Sequence, residues 1–422
     1  MKKIIKKAIK IFLPERFYNS LTAYFWHLPK AVLANIFYRF PAKKLRVVGV
    51  AGTKGKSTTS YLISQLLESQ GKKIALISTT TIKIGGEEKL NDLKMTSADS
   101  WYLQKFLSQA VREKCEFVVL ETSSHALKQF RTRGIYFEIA LLTNLTPDHQ
   151  EYHSSPEDYI FTHKKMISKK TKALVFNSDD SYLEPFKKIP VKKISFGLDR
   201  ESDLQAEKIQ AEKSGSKLEL GFDSNRLKLQ IPLPGKFNVY NVLAALSALY
   251  GLGFDLTKLV NSVSGLKPAP GRVEKIPNSL GIEIIVDYAH SPESFENFFS
   301  AIKPYVKNHL IAATGACGER DASKRPIMGN ILSKYCDYAV ITNDDPFSED
   351  PEKIARELIS GISIEHEKIL DRKQAIQKAI KIAQKGDTVV VLGKGAEQWQ
   401  VFKDKKIPWD DREVIRQIIK TK

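Results

Sequence analysis

Cysteine is scarce in this chain. Only Cys115, Cys317 and Cys336 occur in 422 residues, and none has metal-ligand spacing to another cysteine or to a histidine. A disulfide framework and a zinc ribbon are therefore excluded, and reduced thiols of a cytoplasmic protein are expected. A Gly-x-Gly-x-x-Gly fingerprint and an Asn-Lys-x-Asp guanine signature are also missing, which removes the usual markers of dinucleotide binding and of a GTP switch. No Arg-rich motif, zinc finger or RNA-binding signature occurs, so no nucleic-acid partner is expected. No apolar run is long enough for a spanning helix. Acidic residues almost vanish from the first 44 positions. Ten Lys or Arg stand there against Glu15 alone, in a chain of formal net charge +18.

That basic stretch has its own pattern. Lysines at 2, 3, 6, 7 and 10 alternate with Ile4, Ile5, Ala8, Ile9 and Ile11 at helical spacing, and Phe17, Tyr18, Tyr24, Phe25 and Trp26 follow. The opening is like the charged part of a signal peptide. The apolar run stops at Pro14-Glu15-Arg16, however, and no small-residue cleavage site follows. Two readings stand: a helix lying in an anionic membrane interface, or a helical arm packed on the next domain with its lysines solvated. A peripheral membrane contact through residues 1–40 stays open, and the expected location is the cytoplasm or the inner membrane surface.

From about residue 45 the chain alternates short apolar runs with helical periodicity. "LRVVGVAG", "KKIALIST", "CEFVVLET" and "YFEIALLTNL" read as strands; "KSTTSYLISQLLESQ" and "WYLQKFLSQAVREK" read as helices. The alternation predicts a mostly parallel sheet. "HLIAATGA", "KRPIMGNILSKYC", "YAVITND", "PEKIARELISGI", "DRKQAIQKAIKIAQ" and "DTVVVLG" repeat it as a Rossmann-like C-terminal α/β pattern. The expected organisation is a basic amphipathic arm at 1–44, an ATP-binding P-loop domain at 45–267 and a Rossmann-like domain at 268–422.

The strand-to-helix junction "AGTKGKSTTS", residues 51 to 60, looks like a phosphate cradle. Gly52, Thr53, Lys54 and Gly55 bring backbone N–H groups close to phosphate, Lys56 adds a point charge, and Ser57 and Thr58 add hydroxyls, one of them for magnesium. The general pattern wants a glycine five residues before Gly55, and Val50 stands there.

With that departure, the loop resembles the Mur ligase family, whose version reads Gly-Thr-x-Gly-Lys-Thr/Ser-Thr. "LETSSHALKQFRTRG", "TNLTPDHQEYH", "GKFNVYNVLAAL", "PGRVE", "VDYAHSPES", "GERDASKRPIMG", "NDDPFSEDP" and "GKGAEQWQ" match further family segments in family order, over about residues 45 to 410. The likeness is greatest to the branch that adds the third peptide residue of peptidoglycan precursors. It implies an ATP-dependent amide ligase. ATP turns a carboxylate of the acceptor into an acyl phosphate, and an amine then displaces phosphate.

The resemblance also implies roles. Lys56, Glu121, His149 and Lys324 would serve catalysis. Gly52 to Thr58, Asn238, Asn241, Arg272 and Asp287 would hold ATP. Thr96, Ser97, Ser123, Gln129 and Arg131 would hold a muramyl-peptide acceptor. Arg320, Asp344, Asp345, Gly393 and Glu397 would meet the incoming amino acid. Ser57, Glu121 and His149 would hold Mg2+. The family's carbamylated lysine falls in register with His163, one residue from Lys164, so His163 or a carbamylated Lys164 would complete the second metal site.

Other departures bear on the substrates. Ala396 stands where the family usually has histidine. Family members that add meso-diaminopimelate carry Asp-Asn-Pro-Arg, whose arginine grips the distal carboxylate; here Asp344-Asp345-Pro346-Phe347 stands instead. L-Lysine is therefore expected over meso-diaminopimelate. The cradle also begins too early for the usual UDP-binding domain, so the acceptor is either UDP-linked and held differently, or lipid-linked. A folylpolyglutamate synthetase-like ligase is the alternative enzyme, and a monomer is expected.

Overall fold

The structure, a computed structural model, describes residues 22–93, 95–146, 152–153 and 155–420. The lysine-rich helix expected before residue 12 lies outside the described residues. Contacts divide the chain into two compact units, one ending at Lys267 and the other dominated by Pro268–Lys422.

The first unit is built on an 11-stranded sheet. At its centre the strand Arg46–Ala51 lies between Ile139–Leu142 and Phe117–Glu121, parallel to both. Ile74–Ile77 extends the parallel ladder on one side, and Ala173–Asn177 and Lys192–Gly197 on the other. The inner strands are apolar over most of their length because helices cover both faces, and Val47, Val48 and Val50 are fully buried. The helix Lys56–Ser69 follows the central strand. It ends where Gly71, at φ +71°, takes the left-handed conformation that a side chain would resist. The helix Ser100–Arg112 starts on an Asp99 side chain that accepts from the N–H groups of Trp101 and Tyr102.

The arm in front of the sheet is helical over Leu28–Phe37, after a π-helical turn at Ala23–His27. It lies against the helix Ser100–Arg112 through small residues, with Ala31, Ala34 and Asn35 buried. Asn35 locks it by donating to the carbonyls of Ala31 at 2.8 Å and Arg133 at 2.7 Å.

The second unit holds a six-stranded sheet in the order Glu274–Lys275, Glu283–Asp287, Thr388–Leu392, Leu310–Thr314, Tyr338–Ile341, Glu365–Lys368. All pairs are parallel except the first. Apolar clusters lie on both faces. One is centred on Phe295, Phe299 and Met328, the other on Ile376, Ile380 and Ile415. The strands and helices read from the sequence all form here, at boundaries one to a few residues shorter than the apolar runs.

Candidate active site

Two clusters of chemistry-bearing side chains are built, one in each unit. The first surrounds the loop at the C-terminal end of the central strand. Gly52 at φ +138° and Gly55 at φ +80° allow its turn. A side chain at Gly55 would lie 2.5 Å from Asn241 Oδ1, and one at Gly52 would strike Thr143. The loop is clasped from the next strand end. Asn144 Oδ1 accepts from the Lys54 N–H at 2.8 Å, and its amide donates to the Lys54 carbonyl at 3.1 Å. The Lys56 ammonium donates to the carbonyls of Gly52 and Thr53, both at 2.9 Å, so it sits over the cradle it would share with a phosphate.

Glu121 ends the neighbouring strand and is buried. Its Oε1 accepts from the Ser57 hydroxyl at 3.0 Å and the Thr79 hydroxyl at 2.9 Å, and its Oε2 accepts from the Thr79 N–H at 2.6 Å. Parallel pairing of Arg46–Ala51 with Phe117–Glu121 sets this meeting, since Val50 is the register partner of Glu121. A carboxylate beside a helix-start hydroxyl is an oxygen donor set of the kind magnesium takes. Thr58 follows in the same first turn.

Asn241 and Asn238 are both buried on the helix Lys236–Gly251. The Asn241 amide donates to Asn238 Oδ1 at 3.1 Å, and its own oxygen accepts from Thr59 at 3.3 Å. Asn241 thus braces the start of the loop's helix.

His163 closes the helix Pro156–His163 and is buried. Nδ1–H donates to the Tyr159 carbonyl at 2.9 Å, which leaves Nε2 as a lone-pair acceptor, and Nε2 is buried without a partner. Burial pushes the imidazole down to about 4, and the Lys56 charge adds to the fall. A neutral ring with an orphaned nitrogen fits a metal ligand. Lys164 turns elsewhere, its ammonium 4.0 Å from the centre of the Phe161 ring. The same helix reaches the cradle directly, through a 2.9 Å bond between the Tyr159 and Thr53 hydroxyls. His149 lies outside the described residues.

The candidate acceptor residues form one chain of bonds. Ser97 Oγ donates to the Glu121 carbonyl at 3.1 Å and accepts from the Ser123 N–H at 2.9 Å. Arg131 donates to the Ser97 carbonyl at 2.7 Å and to Gln129 Oε1 at 2.6 Å. Gln129 in turn donates to the Tyr152 hydroxyl at 3.1 Å. Thr96, half-buried, precedes Ser97. The acceptor set and the cradle therefore share Glu121 as their common wall.

The second cluster lies at the C-terminal ends of the second sheet's strands. Lys394 is fully buried, and its ammonium donates to Asp345 at 2.9 Å, Glu397 at 2.9 Å and Asp344 at 3.4 Å. The three carboxylates come close enough to share a cation, and Lys394 is the cation among them. Burial pushes the Asp344 carboxyl up, but the charges of Lys394 and Arg372 hold it below the ordinary range. Glu397 is raised by burial and by the Asp344 charge. Asp344 Oδ2 is buried without a partner. Gly393, at φ +113°, is required here because a Cβ would strike that oxygen. Arg372 and Asp411, both fully buried, form a 2.7 Å ion pair behind the cluster.

Arg272 lies over the Tyr288 ring at 4.4 Å, and Tyr288 donates to Glu397 at 3.4 Å. Asp287 accepts from the N–H groups of Val273 and Ala289, both at 2.7 Å, and so pins the Arg272 turn to its strand. Arg320 is exposed, and Lys324 begins the helix Lys324–Tyr335. Lys394, Arg372 and Asp411 were not singled out from the sequence. Lys394 is the second residue of the segment "GKGAEQWQ", which is the signal that marks it. The Arg372–Asp411 pair joins positions 39 apart and leaves no sequence signal.

Residues 50–249 match the Mur ligase middle domain, and residues 271–395 match the Mur ligase, glutamate ligase domain. The chain belongs to the Mur ligase family. It is an ATP-dependent ligase that adds an amino acid to a muramyl-peptide precursor of peptidoglycan. A relative from Clostridium acetobutylicum, named UDP-N-acetylmuramoyl-L-alanyl-D-glutamate–2,6-diaminopimelate ligase 1, is 39% identical over 394 residues, covering 92% of this chain and 81% of that protein. A solved structure of a ligase of the same name, without the number, superposes with TM-score 0.64 at 33% identity, over 89% of this chain and 78% of that one. The folylpolyglutamate synthase of Mycobacterium tuberculosis superposes with TM-score 0.72 over 87% of this chain and 92% of that one. At 14% identity that likeness concerns the fold alone. The lysine expectation gains no support from the relatives, whose names specify diaminopimelate.

Proposed function

We propose that this ligase joins a UDP-linked muramyl dipeptide to L-lysine, or to another amino acid without a distal carboxylate. The observation that carries the amino-acid part is the excess of negative charge around Lys394, with Asp344 Oδ2 left as an open acceptor and uncharged Phe347 three residues on. A distal ammonium would satisfy that oxygen, whereas a distal carboxylate would face Asp344 and Asp345. The second reading, meso-diaminopimelate, is favoured by the names of the relatives.

The residues divide the work. N–H groups of the 52–56 loop and Lys56 hold the β- and γ-phosphates of ATP. The acceptor carboxylate oxygen attacks the γ-phosphorus and ADP leaves. The amine nitrogen then attacks the acyl carbon, phosphate departs with the former carboxylate oxygen, and the nitrogen gives up its proton as the amide forms. Ser97, Ser123, Gln129 and Arg131, with Thr96, orient the acceptor. Arg320 meets the α-carboxylate, while Gly393 and Glu397 bound the amino-acid site. Lys324 meets a phosphate oxygen, Arg272 and Asp287 serve ATP, and Asn238 and Asn241 serve its adenine. Ser57 and Glu121 would hold one Mg2+, with His149 and His163 at a second. Bound magnesium supplies neutralisation of charge on the transferring phosphoryl group. The enzyme works as a monomer, in the cytoplasm or at the inner membrane surface.

The test is phosphate release with UDP-muramyl-dipeptide and a panel of amino acids. A kcat/KM for L-lysine at least ~10-fold above that for meso-diaminopimelate is expected, since one unpaired charge in such a site costs about 2–5 kcal/mol. Equal or higher kcat/KM for diaminopimelate overturns the lysine reading and leaves the ligase reading intact.

A further inference from the structure

The arm helix is packed inside out. Its small residues Ala31 and Ala34 face the protein, while Phe25, Trp26, Val32, Leu33, Ile36 and Phe37 face solvent. Phe25 is 78% exposed, Phe37 67% and Leu33 60%. The inversion is fixed rather than frayed, because Asn35 bonds to the carbonyl of Arg133 and a side chain at Gly134 would strike Asn35. Trp101, itself part-exposed, continues the patch with its ring 5.2 Å from Phe37. A contiguous apolar face of this kind marks an interaction surface.

We propose that this face docks on a bilayer bearing anionic headgroups. The argument for lipid is charge. No Asp or Glu occurs between Glu15 and Glu68, and Arg39, Lys43 and Lys44 follow the apolar face in sequence. Lys30 is paired with Asp99 at 3.3 Å and Arg46 with Glu138 at 2.9 Å, so the net charge comes from the other basic residues of this stretch, which in sequence include Arg16 and Lys2, Lys3, Lys6, Lys7 and Lys10. Lys43 lies over the exposed Phe40 ring at 4.7 Å, a basic–aromatic pairing suited to the headgroup layer. Each basic residue at such a surface strengthens attachment, and salt weakens it. No described helix is long and apolar enough to cross a membrane. Tyr24 carries the face to Phe130, 5.1 Å between ring centres, between Gln129 and Arg131 in the chain. The docked face therefore adjoins the candidate acceptor residues, although the docking itself does not depend on the ligase reading.

The test is co-sedimentation of the full chain with vesicles of phosphatidylcholine alone or with about 30 mol% phosphatidylglycerol, at low and high salt. At least ~10-fold stronger partition to the anionic vesicles at low salt is expected, falling at high salt. The double variant Leu33→Ser/Phe37→Ser should lose that partition at least ~10-fold while its thermal melt stays near the parent's. Equal partition to both vesicle types, or none, overturns the proposal. So does a lipid-free dimer that the same double variant dissolves, which would assign the face to a second copy of the chain.

Discussion

The Ser57 hydroxyl donates to the Glu121 carboxylate at 3.0 Å, joining the first turn of the cradle helix to the end of the neighbouring strand. Both groups are buried, and both of the Glu121 oxygens are engaged. This pair should therefore act as one unit. Glu121→Gln and Ser57→Ala are each expected to lower kcat by about 10²-fold or more, with a raised magnesium requirement. The double variant should lose far less than the product of the two effects. Full additivity in a kcat and magnesium titration would separate the two roles.

Gly55 leaves no room for a side chain, at φ +80° and with Asn241 Oδ1 where a Cβ would point. Gly55→Ala should cost about 1–3 kcal/mol in urea melts and weaken ADP binding by calorimetry. Asn241→Ala in the same background should recover part of the stability, since it removes the clash but not the φ strain.

Lys394 is the buried counter-ion of Asp344, Asp345 and Glu397. Lys394→Met leaves those charges without it and should destabilise the protein by about 3–5 kcal/mol in urea melts. Asp345→Asn added to that variant should restore part of the loss. No restoration would mean that the carboxylates are relieved by solvent instead.

Arg325 is buried and grips Glu349 with bonds of 2.8 and 2.7 Å. The guanidinium holds the Glu349 carboxyl down from 4.5 to about 2. A depressed carboxylate stabilises the fold above its unfolded value and loses that contribution as pH falls through its folded value. The melting temperature should therefore drop between about pH 4.5 and 2, and less steeply in Glu349→Gln, whose starting stability is lower. Parallel curves for the two proteins would remove this pair from the acid response.

His163 offers an unpartnered, buried Nε2. In His163→Ala, paramagnetic titration with Mn2+ and ADP should show one weaker ion, whereas Lys164→Ala should titrate as the parent does. The opposite pattern would assign the position to Lys164.

Much of this was legible in the sequence, for separable reasons. The strand-loop-helix around Gly52 and Lys56 is local, so its chemistry sits in adjacent letters. Glu121 lies beside it because its strand inserts between the cradle strand and Ile74–Ile77, an order that chain succession alone does not give and that the family segment points to. Asn241 beside Gly55 and Arg372 beside Asp411 depend on how distant helices pack, which no local pattern encodes. The arm is a different case. Its sequence leaves a membrane-facing helix and a packed helix both open, and the small residues Ala31 and Ala34 take the protein side. Periodicity reports a face without saying what covers it.

Ligation is expected to pass through an acyl phosphate formed at the Lys56 cradle. Its most direct test uses UDP-muramyl-dipeptide labelled with oxygen-18 in the terminal carboxylate, ATP, and the amino acid that supports turnover. One labelled oxygen is expected in each released phosphate, with phosphate release dependent on the amino acid and abolished in Lys56→Ala. Unlabelled phosphate alongside normal amide formation would contradict it.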